Sequence, residues 1–179
     1  RTWRSVSGDL LERDIAYAIR QDHEDADLVF VGTEFGAYFT LDGGDHWIKM
    51  SGVPTIAVKD LESLRRENDV CLGTCGRGFY VFDDYSPLRD VDEDTVEDEA
   101  TLFGVKNAPL YVQWSRLGSN DGRGSQGASY YTADNPPYGA VFTYHLAEGF
   151  KSLKDLRLDA ENEAIEEEEE WDYPSVEDS

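Results

Sequence analysis

Apolar residues in the first half of the chain come in short runs separated by glycine, aspartate or charged pairs, a spacing too short for helices and suited to strands. Val29-Phe30-Val31 and Tyr38-Phe39-Thr40 are rich in β-branched and aromatic residues, which fit a pleated, half-buried surface, so they read as adjacent antiparallel strands. The pattern predicts four strands, Ile15–Arg20, Leu28–Thr33, Ala37–Leu41 and Trp47–Met50, and then three more, Ile56–Leu61, Val70–Thr74 and Phe79–Phe82. Further along, Leu110–Trp114 reads as a strand and Gly118–Ser129 as a Gly/Ser-rich polar loop. Asn135-Pro136-Pro137-Tyr138-Gly139 is a turn that launches an alternating strand over Ala140–Leu146. From Phe150 the period changes. Phe150, Leu153, Ala160 and Ala164 fall on one helical face, Ser152-x-x-Asp155 resembles a capping box, and the like charges of Glu166–Glu170 fray the far end.

The two strand groups repeat each other. Gly32-Thr33 recurs as Gly73-Thr74 (73 − 32 = 41), while Gly36, Tyr38 and Asp42 recur as Gly78, Tyr80 and Asp84 (78 − 36 = 42). Trp47, Ser51 and Gly52 echo Trp3, Ser7 and Gly8 (47 − 3 = 44), so Thr2–Ser7 reads as the last strand of a preceding unit, or as a piece that folds back to complete the second. A period of this size is that of a four-stranded propeller blade. The expected fold is all-β: a partial β-propeller of about two four-stranded blades in residues 1–88, an acidic and Gly/Ser-rich linker with one or two strands in 89–139, and the start of a second β module with an acidic helix and tail in 140–179.

Between the third and fourth strands, Thr40-Leu41-Asp42-Gly43-Gly44-Asp45-His46-Trp47 sets a carboxylate before two glycines, which suits a tight turn with Asp capping backbone donors and Gly taking positive φ. Thr40-x-Asp42-x-Gly44-x-x-Trp47 resembles the Asp-box of bacterial-neuraminidase-repeat (BNR) propellers, with His46 where that motif usually carries Thr. The phrases VGTEFG, GTCGRGFYVFDDYSPL and NPPYGAVFTYHL are similar to the C-terminal part of large propeller proteins described as glycosyl hydrolase BNR-repeat or sortilin-like, over residues 1 to roughly 170. The resemblance implies that Thr40, Asp42, Gly44 and Trp47 form a structural turn distant from any active site. It also implies an extracellular or periplasmic protein. Members of that family include sialidases and xyloglucan-degrading enzymes, whereas sortilin binds ligands without catalysis. Cys75 stands where the family turn GTHGRG carries His, which weakens any metal or proton-transfer role for that position.

Charge narrows the partners. With 38 acidic against 16 basic residues the formal charge is -22, which opposes binding to nucleic acid or anionic membranes. Acidic runs at 90–99 and 166–170 read as solvated segments or interaction tails. The lysines are Lys49, Lys59, Lys106, Lys151 and Lys154, and so acid-rich and Lys-poor a surface is expected to rely on salt screening, in the manner of halophilic proteins. No apolar run approaches the ~20 residues of a spanning helix. Cys71 and Cys75, about 13 Å apart if extended, are too far separated for a disulfide unless the turn begins before Cys75, so they are expected as free, partly buried thiols; without nearby histidines they offer no metal site, and no cofactor is expected. Thr74-Cys75-Gly76-Arg77-Gly78 lacks the lysine and following helix of a phosphate loop.

A glycosidase needs two carboxyl groups facing each other across a cleft, and a sialidase by family pattern adds an arginine cluster and a Tyr-Glu pair. Arg4, Arg13, Arg20, Arg65, Arg66 and Arg77 show no spacing that singles out a trio, and His23, His46 and His145 are isolated. The expectation is a non-catalytic propeller fragment with a scaffold or ligand-binding role, whose partners are the remaining blades of a parent protein and a carbohydrate or protein ligand. The alternative is part of a sialidase-like or xyloglucanase-like glycoside hydrolase whose active site is completed by residues outside this chain. On that reading Trp3, Tyr17 and Tyr38 are candidate sugar-stacking platforms, with core packing as their other role. Open strand edges at Thr2–Ser7 and Phe79–Phe82 are expected to promote self-association.

Overall fold

A computed structural model describes residues 2–108, 110, 112, 133 and 138–166. It is mostly β, built from three antiparallel sheets and few helices. The first sheet, in the order β1-β2-β3-β4, joins β1 (Ala16–Gln21), β2 (Val29–Thr33), β3 (Gly36–Thr40) and β4 (Ile48–Lys49). A second, in the order β5-β6-β7, joins β5 (Val58–Leu64), β6 (Asp69–Thr74) and β7 (Phe79–Phe82). All seven predicted strands of this half are present. The largest shift is in β5, which runs on to Leu64 because the turn that follows is closed by Asn68 in left-handed conformation (φ 56), so Leu64 still pairs with Asp69.

The sequence repeat is a repeat of backbone detail. Each sheet interrupts its first pairing with a bulge, between Ala16 and Ala18 in one and between Val58 and Asp60 in the other (58 − 16 = 42). Each closes its Gly-Thr strand in the same way: Thr33 Oγ1 donates to Gly36 O and Thr74 Oγ1 to Gly78 O. The amide after each of these threonines returns to the lead-in of the first strand, Glu34 N to Ile15 O and Cys75 N to Ala57 O. Cys71 and Cys75 are free thiols.

The sheets stack through unlike faces. Residues opposite one another in an antiparallel sheet share a face, so Ala18, Phe30, Gly32, Ala37 and Phe39 form one side of the first sheet. They meet Val58, Leu61, Val70, Leu72 and Tyr80 of the second, and Leu28, Met50 and Tyr85 are buried in the same cluster. Gly32 permits the closest approach, since a Cβ there would lie 2.8 Å from Val58 O. Burial of these side chains at ~25 cal/mol per Å2 of apolar surface is the main term holding the two sheets together.

Residues 2–15 contain no strand, so Thr2–Ser7 neither extends a sheet nor completes the second one. The acidic stretch 90–99 is more ordered than its charge suggests. After a 3-10 helix over Ser86–Asp90 comes α1 (Glu93–Glu97), where Asp92 and Thr95 form a reciprocal capping box and Glu93 and Asp94 sit favourably at the helix N-terminus. β8 (Ala100–Leu102) then pairs with β9 (Tyr144–Leu146), so the strand expected over Ala140–Leu146 is shorter and joins a partner from the 89–139 stretch. Alternation marks a strand without specifying its partner. The helix predicted beyond Phe150 is α2 (Leu153–Glu166), and Ser152 and Asp155 make the expected box, Asp155 N donating to Ser152 Oγ and Ser152 N to Asp155 Oδ2. The predicted strand Leu110–Trp114, the loop Gly118–Ser129 and the tail beyond Glu166 lie wholly or mainly outside the described residues.

Candidate functional site

The turn between β3 and β4 has the geometry its residues require. Asp42 Oδ1 accepts from Thr40 Oγ1 at 2.6 Å, Asp45 N at 2.9 Å and His46 N at 3.0 Å, while Gly44 N donates to Thr40 Oγ1. Gly43 (φ 71) and Gly44 (φ 105) take the left-handed conformations that let the chain reverse over this carboxylate. Thr40, holding the proton donor to Asp42, and the His46 amide keep the Asp42 carboxyl well below the usual carboxylate range. His46 Nδ1 lies 2.6 Å from Asp42 Oδ2, and this hydrogen bond raises the imidazole pKa.

The N-terminal segment docks on that turn. Trp47 Nε1 donates to Val6 O, Trp47 N to Asp9 Oδ1 and Arg4 Nη2 to Gly43 O. Gly44 is compressed against Val6, where a Cβ would lie 2.8 Å from both Val6 Cβ and Val6 O. Thr40, Asp42, Gly44 and Trp47 thus meet in one structural assembly. Beside it a groove of about 440 Å3 on the outer face of the first sheet is lined by Arg4, Val6, Ile19, Gln21, Val29 and Trp47, among others. Among the described residues, Asp27 is the one carboxylate that lines it. The three candidate stacking aromatics do not line it. Trp3 is 95% exposed, Tyr17 carries Lys59 Nζ 3.2 Å from its ring centroid, and Tyr38 is half-buried in β3 with its hydroxyl pKa raised by burial and then by Asp14.

A second polar centre escaped the sequence reading. Asp22, fully buried at its side chain, accepts from Tyr85 Oη at 2.8 Å, Arg89 Nε at 2.7 Å and Arg89 Nη2 at 2.9 Å, and from the amides of Glu24 and Asp25. Arg89 also reaches Glu24 and Asn68, and His23 Nδ1 lies 3.1 Å from Asp22. Burial alone would raise the Asp22 pKa, but the Arg89 fork reverses that and holds the carboxyl far below its ordinary value. Tyr85, buried and donating to Asp22, is pushed up to about 12. The cluster ties the 3-10 helix back to the end of β1 across 67 residues of sequence. Removing Arg89 would leave a buried carboxylate unpaired, a loss of about 3–5 kcal/mol in comparable pairs. Asp22 lies in an acidic stretch and Arg89 is a lone arginine behind Pro87, so neither carried a signal of partnership.

Both carboxylates are held by several internal donors, Asp22 by Tyr85, Arg89 and two backbone amides, and Asp42 by Thr40, two backbone amides and His46. Among the described residues no group of three or more His, Cys, Asp or Glu is arranged to hold a metal ion, and no helix is long and apolar enough to cross a membrane. Comparison with protein-family models, with curated proteins and with solved structures found no match.

Proposed function

We propose that this chain is a non-catalytic part of a BNR-repeat-like β-propeller protein, with a scaffold or ligand-binding role, its two sheets acting as successive blades. One observation carries the reading: two sheets about 42 residues apart share their bulge, their Thr-to-Gly hydrogen bond and their lead-in contact, and stack through unlike faces as members of a repeating series do. The commitment of Asp22 and Asp42 to internal donors supports a structural role for the most strongly bonded carboxylates. The scarcity of carboxylates along the groove argues in the same direction, since glycoside hydrolysis needs a facing pair.

A glycoside hydrolase parent is the second reading, favoured by the nearly full exposure of Trp3, a feature that suits sugar stacking. Incubating the chain with a panel of chromogenic sialosides and xyloglucan oligosaccharides distinguishes the two. No turnover by the chain is expected, and turnover that follows its concentration would overturn the scaffold reading.

A further inference from the structure

We infer that the outer face of the second sheet is a docking surface for the first sheet of another copy of this chain, giving a head-to-tail stack. The inference rests on the sheet repeat described above. In the stack inside the molecule, Ala37 and Phe39 of β3 lie on the face that packs against Leu61, Val70, Leu72 and Tyr80. Their repeat partners in the second sheet are Phe79 and Val81 of β7, on the face turned away from the first sheet. Ala37 is 0% exposed, whereas Phe79 is 80% and Val81 52% exposed. The positions built to be covered in the first sheet are uncovered in the second, and one of them has grown from alanine to phenylalanine.

The surface that would cover them is on the same chain. Repeat partners of Leu61, Val70, Leu72 and Tyr80 are Ile19, Val29, Val31 and Tyr38, all on the outer face of the first sheet. Val31 is already covered within the chain at 2% exposed, so the accessible part of that face is Ile19, 49% exposed, and Val29, which border the 440 Å3 groove together with Val6 and Trp47. The intermolecular contact is therefore a continuation of the intramolecular one, with β7 of one copy standing where β3 stands inside the molecule. Two different surfaces meet, so the contact is heterologous and extends into a ring or a filament according to the rotation per step. A net charge of -22 opposes approach at low salt, while at molar salt the Debye length is ~3 Å and apolar contact prevails.

Light scattering of the chain in molar salt, over roughly micromolar to millimolar protein, tests this directly. Mass should rise with concentration. Phe79→Asp and Ile19→Asp should each weaken assembly about tenfold or more, as removal of a central anchor does. Each variant keeps one intact face, so an equimolar mixture of the two should form a one-to-one pair and nothing longer. A wild-type chain that stays monomeric at millimolar protein overturns the inference. So does a mixture that forms no pair, or assembly indifferent to Ile19→Asp, which would mean β7 edges pairing with each other. If Phe79→Asp loses its near-ultraviolet circular dichroism, Val81→Asp takes its place under the same criteria. A monomer would refute stacking and leave the scaffold reading intact, whereas saccharide turnover would do the reverse.

Discussion

At Asp42 and His46 the exposed turn joins two ionisable groups whose pKa values move apart. Asp42 titrates below its unfolded value, so its contribution is present above about pH 4 and is lost as acid protonates it at still lower pH. His46 titrates above its unfolded value near 6.5, so its contribution is complete below that pH and fades as pH rises through the raised pKa. The turn should be firmest between about pH 4 and 6.5. Melting temperature is expected to fall from pH 6 to pH 9, and His46→Gln should flatten that part of the profile. Asp42→Ala should lower the melting temperature at every pH in the window, because the Thr40 hydroxyl, the amides of Asp45 and His46 and the His46 ring all lose their acceptor. A profile unaltered by either substitution would show that the turn does not hold the N-terminal segment. The residues of this turn were legible because Asx-turn chemistry is local. Arg4, Val6 and Asp9, which clamp it from about 40 positions away, were not.

Between elements, the two Gly-Thr strands occupy equivalent places with unequal neighbours. Gly32 faces Val58 across the sheet stack, with Cβ positions 2.8 and 2.9 Å from its carbonyl oxygen and Cγ1, whereas Gly73 faces Asp60 at no less than 3.4 Å. Gly32→Ala should therefore destabilise the chain by ~1–3 kcal/mol through overpacking, and Gly73→Ala should be nearly neutral in dilute protein. Urea denaturation of both variants measures the contrast, and equal losses would count against the described stacking. Strand positions were readable from composition and turn residues. The pairing of β8 with β9 was not, because Ala100–Leu102 carries too few apolar residues to announce a strand and its partner lies more than 40 residues away. α1 escaped notice for a related reason: seen as charge, 90–99 is a solvated run, yet its Asp92-Thr95 box and the buried Thr95 hydroxyl make a capped turn.

For the molecule as a whole, a charge of -22 makes compactness salt-dependent. Lowering salt from molar to tens of millimolar lengthens the Debye screening distance from ~3 Å to beyond 10 Å, and the melting temperature should fall across that range. A flat response would remove the salt-adapted reading of the surface. Arg20 and Glu62, on the first strands of the two sheets and 42 positions apart, form a 3.0 Å ion pair that salt would weaken, but both are substantially exposed, so the repulsion among acidic groups outweighs it.

The sequence by itself determined the seven strands of the first half, the cap and glycines of the Asp42 turn, the capped C-terminal helix and the repeat that links the two sheets. Each follows from side chains within a few positions of one another, or from a spacing that recurs. Only the tertiary structure decided that the N-terminal residues clamp a turn instead of forming a strand, that Arg89 and Tyr85 converge on Asp22, and that β8 and β9 form a ribbon. Those contacts join groups separated by about 40 to 67 residues, and they form because burial leaves a carboxylate or a strand edge in need of a partner that no local pattern names.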